Sequence, residues 1–246
     1  MIRLLHGDCI EEMNKIDDHS VDFILCDLPY GQTNNEWDFV IDPVALWEQY
    51  NRIRKPNTAI VLFGQDKFTA KMMLEQPKLH KYNLIWEKDR PSGFLNANKM
   101  PLRSHEDIMV FYEYQPVYNP QYSVGNPVHT KGKRALVTEQ TNNNYGEYKT
   151  VETPQTDEKH PRSVLYFKRP HPPVHPTQKP LDLIEWLVKT YSIEGDIVLD
   201  NCMGSGTTGI ACNKLNRSFI GIEKDDVYFD MAKRRIEQPV TVGLGL

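Results

Sequence analysis

Apolar residues along the chain follow two alternating rhythms: short near-continuous runs, and stretches with an apolar residue every three or four positions. Arg3 to His6 predicts a short strand ending at Gly7-Asp8, after which Ile10, Met13 and Ile16 keep helical spacing. Val21 to Cys26 is a β-rich run that stops at Asp27-Leu28-Pro29-Tyr30-Gly31. The spacing then predicts a helix from Pro43 to about Arg54, with Val44, Trp47, Tyr50 and Ile53 inward. Thr58 to Phe63 is a nearly continuous apolar strand closed by Gly64, and Gln65 to Glu75 reads as helix. Two strands follow, Tyr82 to Trp86 and Ile108 to Tyr112. Further on, Leu183, Ile184, Leu187, Val188 and Tyr191 share a helical face, and Asp196 to Leu199 is a strand. Asp200 to Thr208 is a glycine-rich turn entering a helix, and Ser218 to Ile222 is a strand with Glu223 at its end. Val227, Tyr228, Met231, Ala232 and Ile236 mark a final amphipathic helix before Pro239. Near-continuous apolar strands between helices predict an α/β fold with a doubly wound, mostly parallel sheet covered on both faces.

Between Glu113 and Pro173 the periodicity fades. Prolines 116, 120, 127, 154, 161, 170, 172 and 173 and the polar tract Thr141 to Asn144 fall here. A structureless loop of that length is abnormal inside a compact domain, so an inserted subdomain or binding element is expected. The organisation becomes a first half over 1–112, an insertion over 113–173 and a second half over 174–246.

Composition narrows the class. With 246 residues, 39% hydrophobic and 25% charged, the chain suits one folded domain with an insertion and excludes disordered or coiled-coil classes. Mean hydropathy is -0.56 and no apolar run approaches the roughly 20 residues of a membrane span, so no membrane association is expected. The N-terminus lacks the pattern of a secretory signal, which points to the cytoplasm. Cys9, Cys26, Cys202 and Cys212 form no CxxC pair. They are expected to be buried reduced thiols, with no structural metal. The net charge of -4 excludes a global basic field, although 113–172 carries +2 and the remainder -6.

Two segments carry candidate chemistry. In Asp200 to Thr208 the glycines permit a tight turn, and the following helix N-terminus favours an anionic group. Glu223, at the tip of the next strand, stands where a carboxylate accepts ribose hydroxyls. The pattern suits a nucleoside-containing cofactor, or equally a plain strand-to-helix turn with a solvated acid. It lacks the Lys-Ser/Thr of a P-loop. In Asp27-Leu28-Pro29-Tyr30, Pro29 biases Leu28 toward an extended conformation. The Leu28 carbonyl and the Asp27 carboxylate then form a pair of acceptors beside an aromatic face, suited to an aromatic amine on a nucleobase. The alternative is a proline-closed strand end with a core tyrosine.

Together these residues resemble the beta arrangement of the S-adenosylmethionine-dependent DNA amino-methyltransferases, the N-4/N-6 DNA methylase family. There an Asp-Pro-Pro-Tyr motif comes first, a target-recognition insertion follows and the cofactor motif comes last, a circularly permuted order of a Rossmann-like methyltransferase fold. His175-Pro-Thr-Gln-Lys-Pro180 is similar to the element before the cofactor strand, Gly7-Asp8-Cys9 to the motif reaching the cofactor adenine, and Ile220 to Glu223 with Tyr228 to the ribose-binding strand and its helix. The resemblance implies methyl transfer to the N6 amine of adenine in DNA after base flipping, with Asp27, Leu28, Pro29 and Tyr30 catalytic. It implies S-adenosyl-L-methionine held by Asp8, Cys9, Asp27, Thr177, Lys179, Asp200, Cys202, Gly204, Ser205, Gly206, Thr207, Glu223 and Lys224.

Two departures stand out. Leu28 replaces the usual Pro but keeps the carbonyl, and Cys202 replaces a frequent Phe near the adenine. Cytosine N4 is the nearest rival target, but those enzymes more often carry Ser at the position of Asp27. A catalytically inactive DNA-binding module is a further alternative. DNA contacts are expected from the insertion, where His129 to Arg134 holds Lys131, Lys133 and Arg134, or is an ordinary solvated loop. A second strip is Lys88, Arg90, Lys99 and Arg103. A second copy of the chain and a cognate restriction endonuclease are candidate partners.

Overall fold

The computed structural model describes residues 1–31, 40–125, 157–172 and 178–238. It divides into two compact units, Met1–Asn119 with Arg162–Leu246, and Pro120–Pro161. In chain order the strands are β1 (Ile2–His6), β2 (Val21–Cys26), β3 (Arg54–Gly64), β4 (His80–Ser92), β5 (Arg103–Phe111), β6 (Ser123–Val124), β7 (Glu158–Lys159), β8 (Val164–Phe167), β9 (Ile197–Asp200) and β10 (Ser218–Glu223). The helices are α1 (Cys9–Met13), α2 (Pro43–Ile53), α3 (Asp66–Glu75), α4 (Leu181–Tyr191), α5 (Thr207–Lys214) and α6 (Asp226–Glu237). In the second unit β6 and β7 form an antiparallel pair.

The first unit is built on an eight-stranded sheet in the order β1-β10-β9-β2-β3-β5-β4-β8. Its neighbours are parallel except at β5, which runs antiparallel to both β3 and β4. The short link between β4 and β5 dictates that reversal, because a parallel pair needs a long crossover. Seven strands therefore bring their C-terminal ends to one edge, and β5 brings its N-terminal end there.

Strand side chains alternate between two cores. Phe23, Leu25, Val61, Phe63 and Val198 pack with Leu183, Leu187, Ala211 and Ile236 of α4, α5 and α6. Ile24, Cys26, Ile60, Leu62 and Leu199 pack with Met13, Trp47, Tyr50 and Phe68 of α1, α2 and α3. Each fully buried large side chain contributes about 1.5–3 kcal/mol of transfer free energy. Asp42 caps α2 by accepting from the amides of Val44 and Ala45, with Pro43 at its start. The inward stripe of α2 is Leu46, Trp47, Tyr50 and Ile53, which turns Val44 outward at 60% exposure, unlike the expectation. Another difference is β8: it lies inside the stretch read as irregular but pairs with β4 at the sheet edge. The compact inserted unit is correspondingly narrower, 120–161. Among the described residues no helix is long and apolar enough to cross a membrane.

Candidate active site

β9 and β2 are neighbours, while the chain leaves β9 for β10 on one side and β2 for β3 on the other. Such a switch point opens a crevice at the strand C-termini, and a cavity of about 860 Å³ occupies it. Gly7, Asp8 and Cys9 after β1, Asp27 to Tyr30 after β2, Asp200 to Ser205 after β9 and Glu223 to Asp226 after β10 all line it. The two segments singled out from the sequence therefore share one chamber.

The glycine turn is braced from below. Asp200 is buried, and its carboxylate accepts from the Cys202 amide (3.2 Å) and the Thr208 hydroxyl (2.7 Å), so both oxygens are engaged within the turn. Gly206 has a φ of +79°, and a Cβ there would stand 2.9 Å from the Ala232 Cβ of α6. Close packing of α6 thus requires the glycine, and Gly206 itself does not line the cavity. As the cap of α5 it offers no side-chain acceptor to the first turn, which leaves that turn suited to an anionic ligand. Glu223 accepts from the Gly204 amide at 2.9 Å through one oxygen and from the Lys224 and Asp225 amides, each at 2.9 Å, through the other. Two amides fill Oε1 and one reaches Oε2, and each oxygen can accept two hydrogen bonds, so Oε2 keeps one site for a ligand hydroxyl. Asp8 caps α1 through the Ile10 amide and faces Lys224 at 3.4 Å. Ser205 and Thr207 also line the chamber, and Cys202 is half-buried in its wall.

Burial raises the Asp200 pKa to about 6, and the hydrogen bonds from Thr208 and Cys202 only partly oppose it. A carboxyl with a raised folded-state pKa stabilises the fold fully below its unfolded value, and loses that contribution as pH rises through about 6. From pH 4 to 7 the stability of the wild type, relative to an Asp200→Asn variant, should therefore fall by about 2 kcal/mol. Urea titrations at the two pH values measure it; equal changes in both proteins would contradict the burial effect.

Across the chamber both Asp27 oxygens are engaged. Tyr30 donates its hydroxyl to Oδ1 at 2.8 Å, and Lys179 donates to Oδ2 at 2.5 Å. Burial keeps the Tyr30 phenol protonated, hence a donor. The Tyr30 ring packs on Phe68, with centroids 4.7 Å apart. Lys179, delivered by the turn into α4, also faces Glu106 at 3.2 Å, and Glu106 pairs with Lys88 at 2.6 Å. Two carboxylates and two ammoniums thus form one continuous, formally neutral cluster. Burial raises the Asp27 pKa, with Lys179 opposing and Glu106 adding to the rise. Burial works against the charge on Glu106 too, but Lys179 and Lys88 outweigh it and lower its pKa. Lys179 is held charged: its burial penalty is overcome by the two carboxylates. Cys26, beside Asp27, is pushed up to about 12 by burial and stays a thiol.

Lys88 is therefore not on an outer phosphate strip. Its side chain is 7% exposed and bound to Glu106, because an isolated ammonium could not be buried without a partner. Arg90 is outside the chamber and pairs with Asp89, while Arg103 stands at its rim. Lys131, Lys133, Arg134 and Thr177 lie outside the described residues. Glu106 was missed in the sequence. The signal was there in two successive strands with no helix between them, which makes a hairpin and places the start of the second strand at the end of the first.

A doubly wound sheet whose edge joins a capless glycine turn and a strand-tip acid to an Asp–Tyr pair defines a Rossmann-like methyltransferase. The chain belongs to the DNA methylase family of the N6/N4 type, whose model matches residues 21–234; it is a DNA methyltransferase. It is 28% identical to the DNA adenine methyltransferase YhdJ of Escherichia coli strain K12, over 95% of this chain and 82% of that protein. The crystal structure of the M1.HpyAVI–SAM complex superposes with a TM-score of 0.63 at 27% identity, covering 96% of this chain and 100% of that one. The cytosine-N4-specific PvuII DNA methyltransferase shares the fold, with a TM-score of 0.70 at 14% identity, covering 97% and 87%.

Proposed function

We propose that this protein transfers a methyl group from S-adenosylmethionine to the N6 amine of adenine in DNA. The observation that carries the reading is the single chamber holding both the Asp27–Tyr30 pair and the glycine turn. The residues present fit the cofactor. The first turn of α5 suits its carboxylate, Glu223 a ribose hydroxyl, and Asp8, Cys9 and Cys202 line the chamber nearby. When bound, the cofactor supplies an electrophilic methyl group on a sulfonium.

The chain's own residues prepare the nucleophile. An exocyclic amine is weakly nucleophilic because its lone pair is delocalised into the ring. Asp27 and the Leu28 carbonyl accept its two N–H groups, favouring a pyramidal nitrogen with a freer lone pair. Tyr30 and Lys179 hold the Asp27 carboxylate in place, so the acceptor is pre-oriented before the base arrives. Methylation leaves a surplus proton on the nitrogen, and the Asp27 carboxylate can hold it. Orientation of this kind is worth up to about 7–11 kcal/mol in model reactions. The target adenine must leave the duplex stack to reach the chamber, at a cost of a few kcal/mol. Asp27 in place of Ser, and the likeness to YhdJ, support adenine over cytosine. The net +2 over 113–172 supports DNA contacts from the insertion.

Purified protein incubated with S-adenosylmethionine and unmethylated genomic DNA should yield N6-methyladenine on digestion to nucleosides. N4-methylcytosine instead would overturn the choice of base, and no methylated base would overturn the activity.

A further inference from the structure

The β4–β5 hairpin closes at the Ser92–Arg103 pair, and both residues line the chamber. Beyond that pair the tip is a built turn rather than slack chain. Gly93 takes a φ of +85°, and the amides of Asn96, Ala97 and Lys99 donate to the carbonyls of Gly93, Phe94 and Asn96 at 2.8–3.0 Å. This turn holds its apolar side chains out of the fold. Phe94 is 81% exposed and Leu95 95%, with Met100 and Leu102 exposed beside them. Exposed apolar groups gathered at one point with polar neighbours mark a contact site. From Arg90 to Arg103 the chain holds Arg90, Lys99 and Arg103 and no acid, although Arg90 pairs with Asp89 at 3.1 Å and Arg103 with Asp66 at 3.3 Å, exposed pairs that phosphates can compete for.

We infer that this tip is a wedge for duplex DNA, with Phe94 and Leu95 entering the base stack beside the extruded adenine while Arg90, Lys99 and Arg103 face phosphates. The inference rests on the base-extruding reading given above. Apolar side chains inserted between base steps are a general means of unstacking a duplex, and here they stand on the same hairpin as the chamber's rim. A second copy of the chain fits this surface less well: a two-fold contact sets each patch against itself and brings like charge, Lys99 against Lys99, together. The wedge fills the gap that the base leaves and slows its return. Its energetic role ends once the base is already unpaired.

The test uses the full-length protein, the Phe94→Ala/Leu95→Ala variant, and a duplex bearing the site mapped by nucleotide-resolution methylation of genomic DNA. A second duplex places the same target adenine opposite an abasic position. On the paired duplex the variant should lose about 10- to 100-fold in kcat/KM. On the duplex with the unpaired target it should come within about threefold of wild type, as should its dissociation constant for S-adenosylmethionine. Wild-type turnover of the variant on the paired duplex, or an equal loss on both duplexes, would overturn the wedge. So would conversion of a wild-type dimer to a monomer by the double substitution with turnover unchanged. Absence of adenine methylation by the wild type would instead strike the activity on which the inference rests.

Discussion

Replacing Asp27 with Ala is expected to lower kcat for methyl transfer by about a thousandfold, or about 4 kcal/mol. Asp27 is one of thirteen residues that the resemblance sets around S-adenosylmethionine, so the dissociation constant should rise by far less, about tenfold at most. The carboxylate is the acceptor that Tyr30 and Lys179 hold ready from opposite oxygens. The glycine turn and Glu223 keep their own hydrogen bonds without it. Lys179 would still have Glu106 at 3.2 Å, so the fold should stand. Asp27→Asn preserves volume and one acceptor oxygen but sets an amide against the Lys179 ammonium or the Tyr30 hydroxyl, so it should fall nearly as far. Single-turnover methylation alongside calorimetric cofactor binding separates the two effects. A variant keeping a tenth of wild-type turnover would remove Asp27 from the reaction.

The second large effect is a pair of opposite pH shifts. Asp27 must be ionised to accept the amine, so kcat/KM should fall as pH drops through its pKa. Burial raises that pKa; Lys179 pulls it down and Glu106 pushes it up. Lys179→Met leaves two carboxylates facing each other, and the acid limb should move to higher pH by a unit or more. Glu106→Gln removes the like charge and leaves Lys179 to Asp27 alone, so the limb should move to lower pH. General damage to the fold would not drive the two variants in opposite directions. Lys179→Met should also cost about 3–5 kcal/mol of stability, since it strips a partner from buried charge. Rate profiles from pH 5 to 9 and denaturant titrations read both, and two shifts of the same sign would contradict this electrostatic account.

Much of the frame was legible because burial on both faces leaves a local mark. The apolar runs at Val21 to Cys26, Thr58 to Phe63 and Ser218 to Ile222 each became a central strand. Asp27, Tyr30, Glu223 and the glycine turn were found because sheet ends concentrate such residues. What escaped was non-local. Arg103 to Asp107 is polar and does not read as strand, yet it is strand because β4 supplies its hydrogen-bond partners. Lys88 looked like a surface charge because its counterion, Glu106, arrives on the next strand. β8 is four residues long and owes its place to pairing with β4, so it left no periodic trace. Val44 shows the limit of periodicity: its spacing fits the stripe, but the helix phase set by Leu46 and Trp47 turns it away.

The β4–β5 hairpin divides into parts with different tolerance for change. The pairs Trp86–Glu106 and Glu87–His105 clamp the stem, and the Trp86 indole donates to the Phe167 carbonyl of β8 at 2.9 Å. A register shift lies between Glu87 and Ser92, ahead of the tip. Glu106 is thereby anchored by hydrogen bonds that do not pass through residues 93–102. Segments of other lengths could be grafted there without re-registering the strand that carries it, so the tip can change in length and composition while the cluster beneath is left untouched.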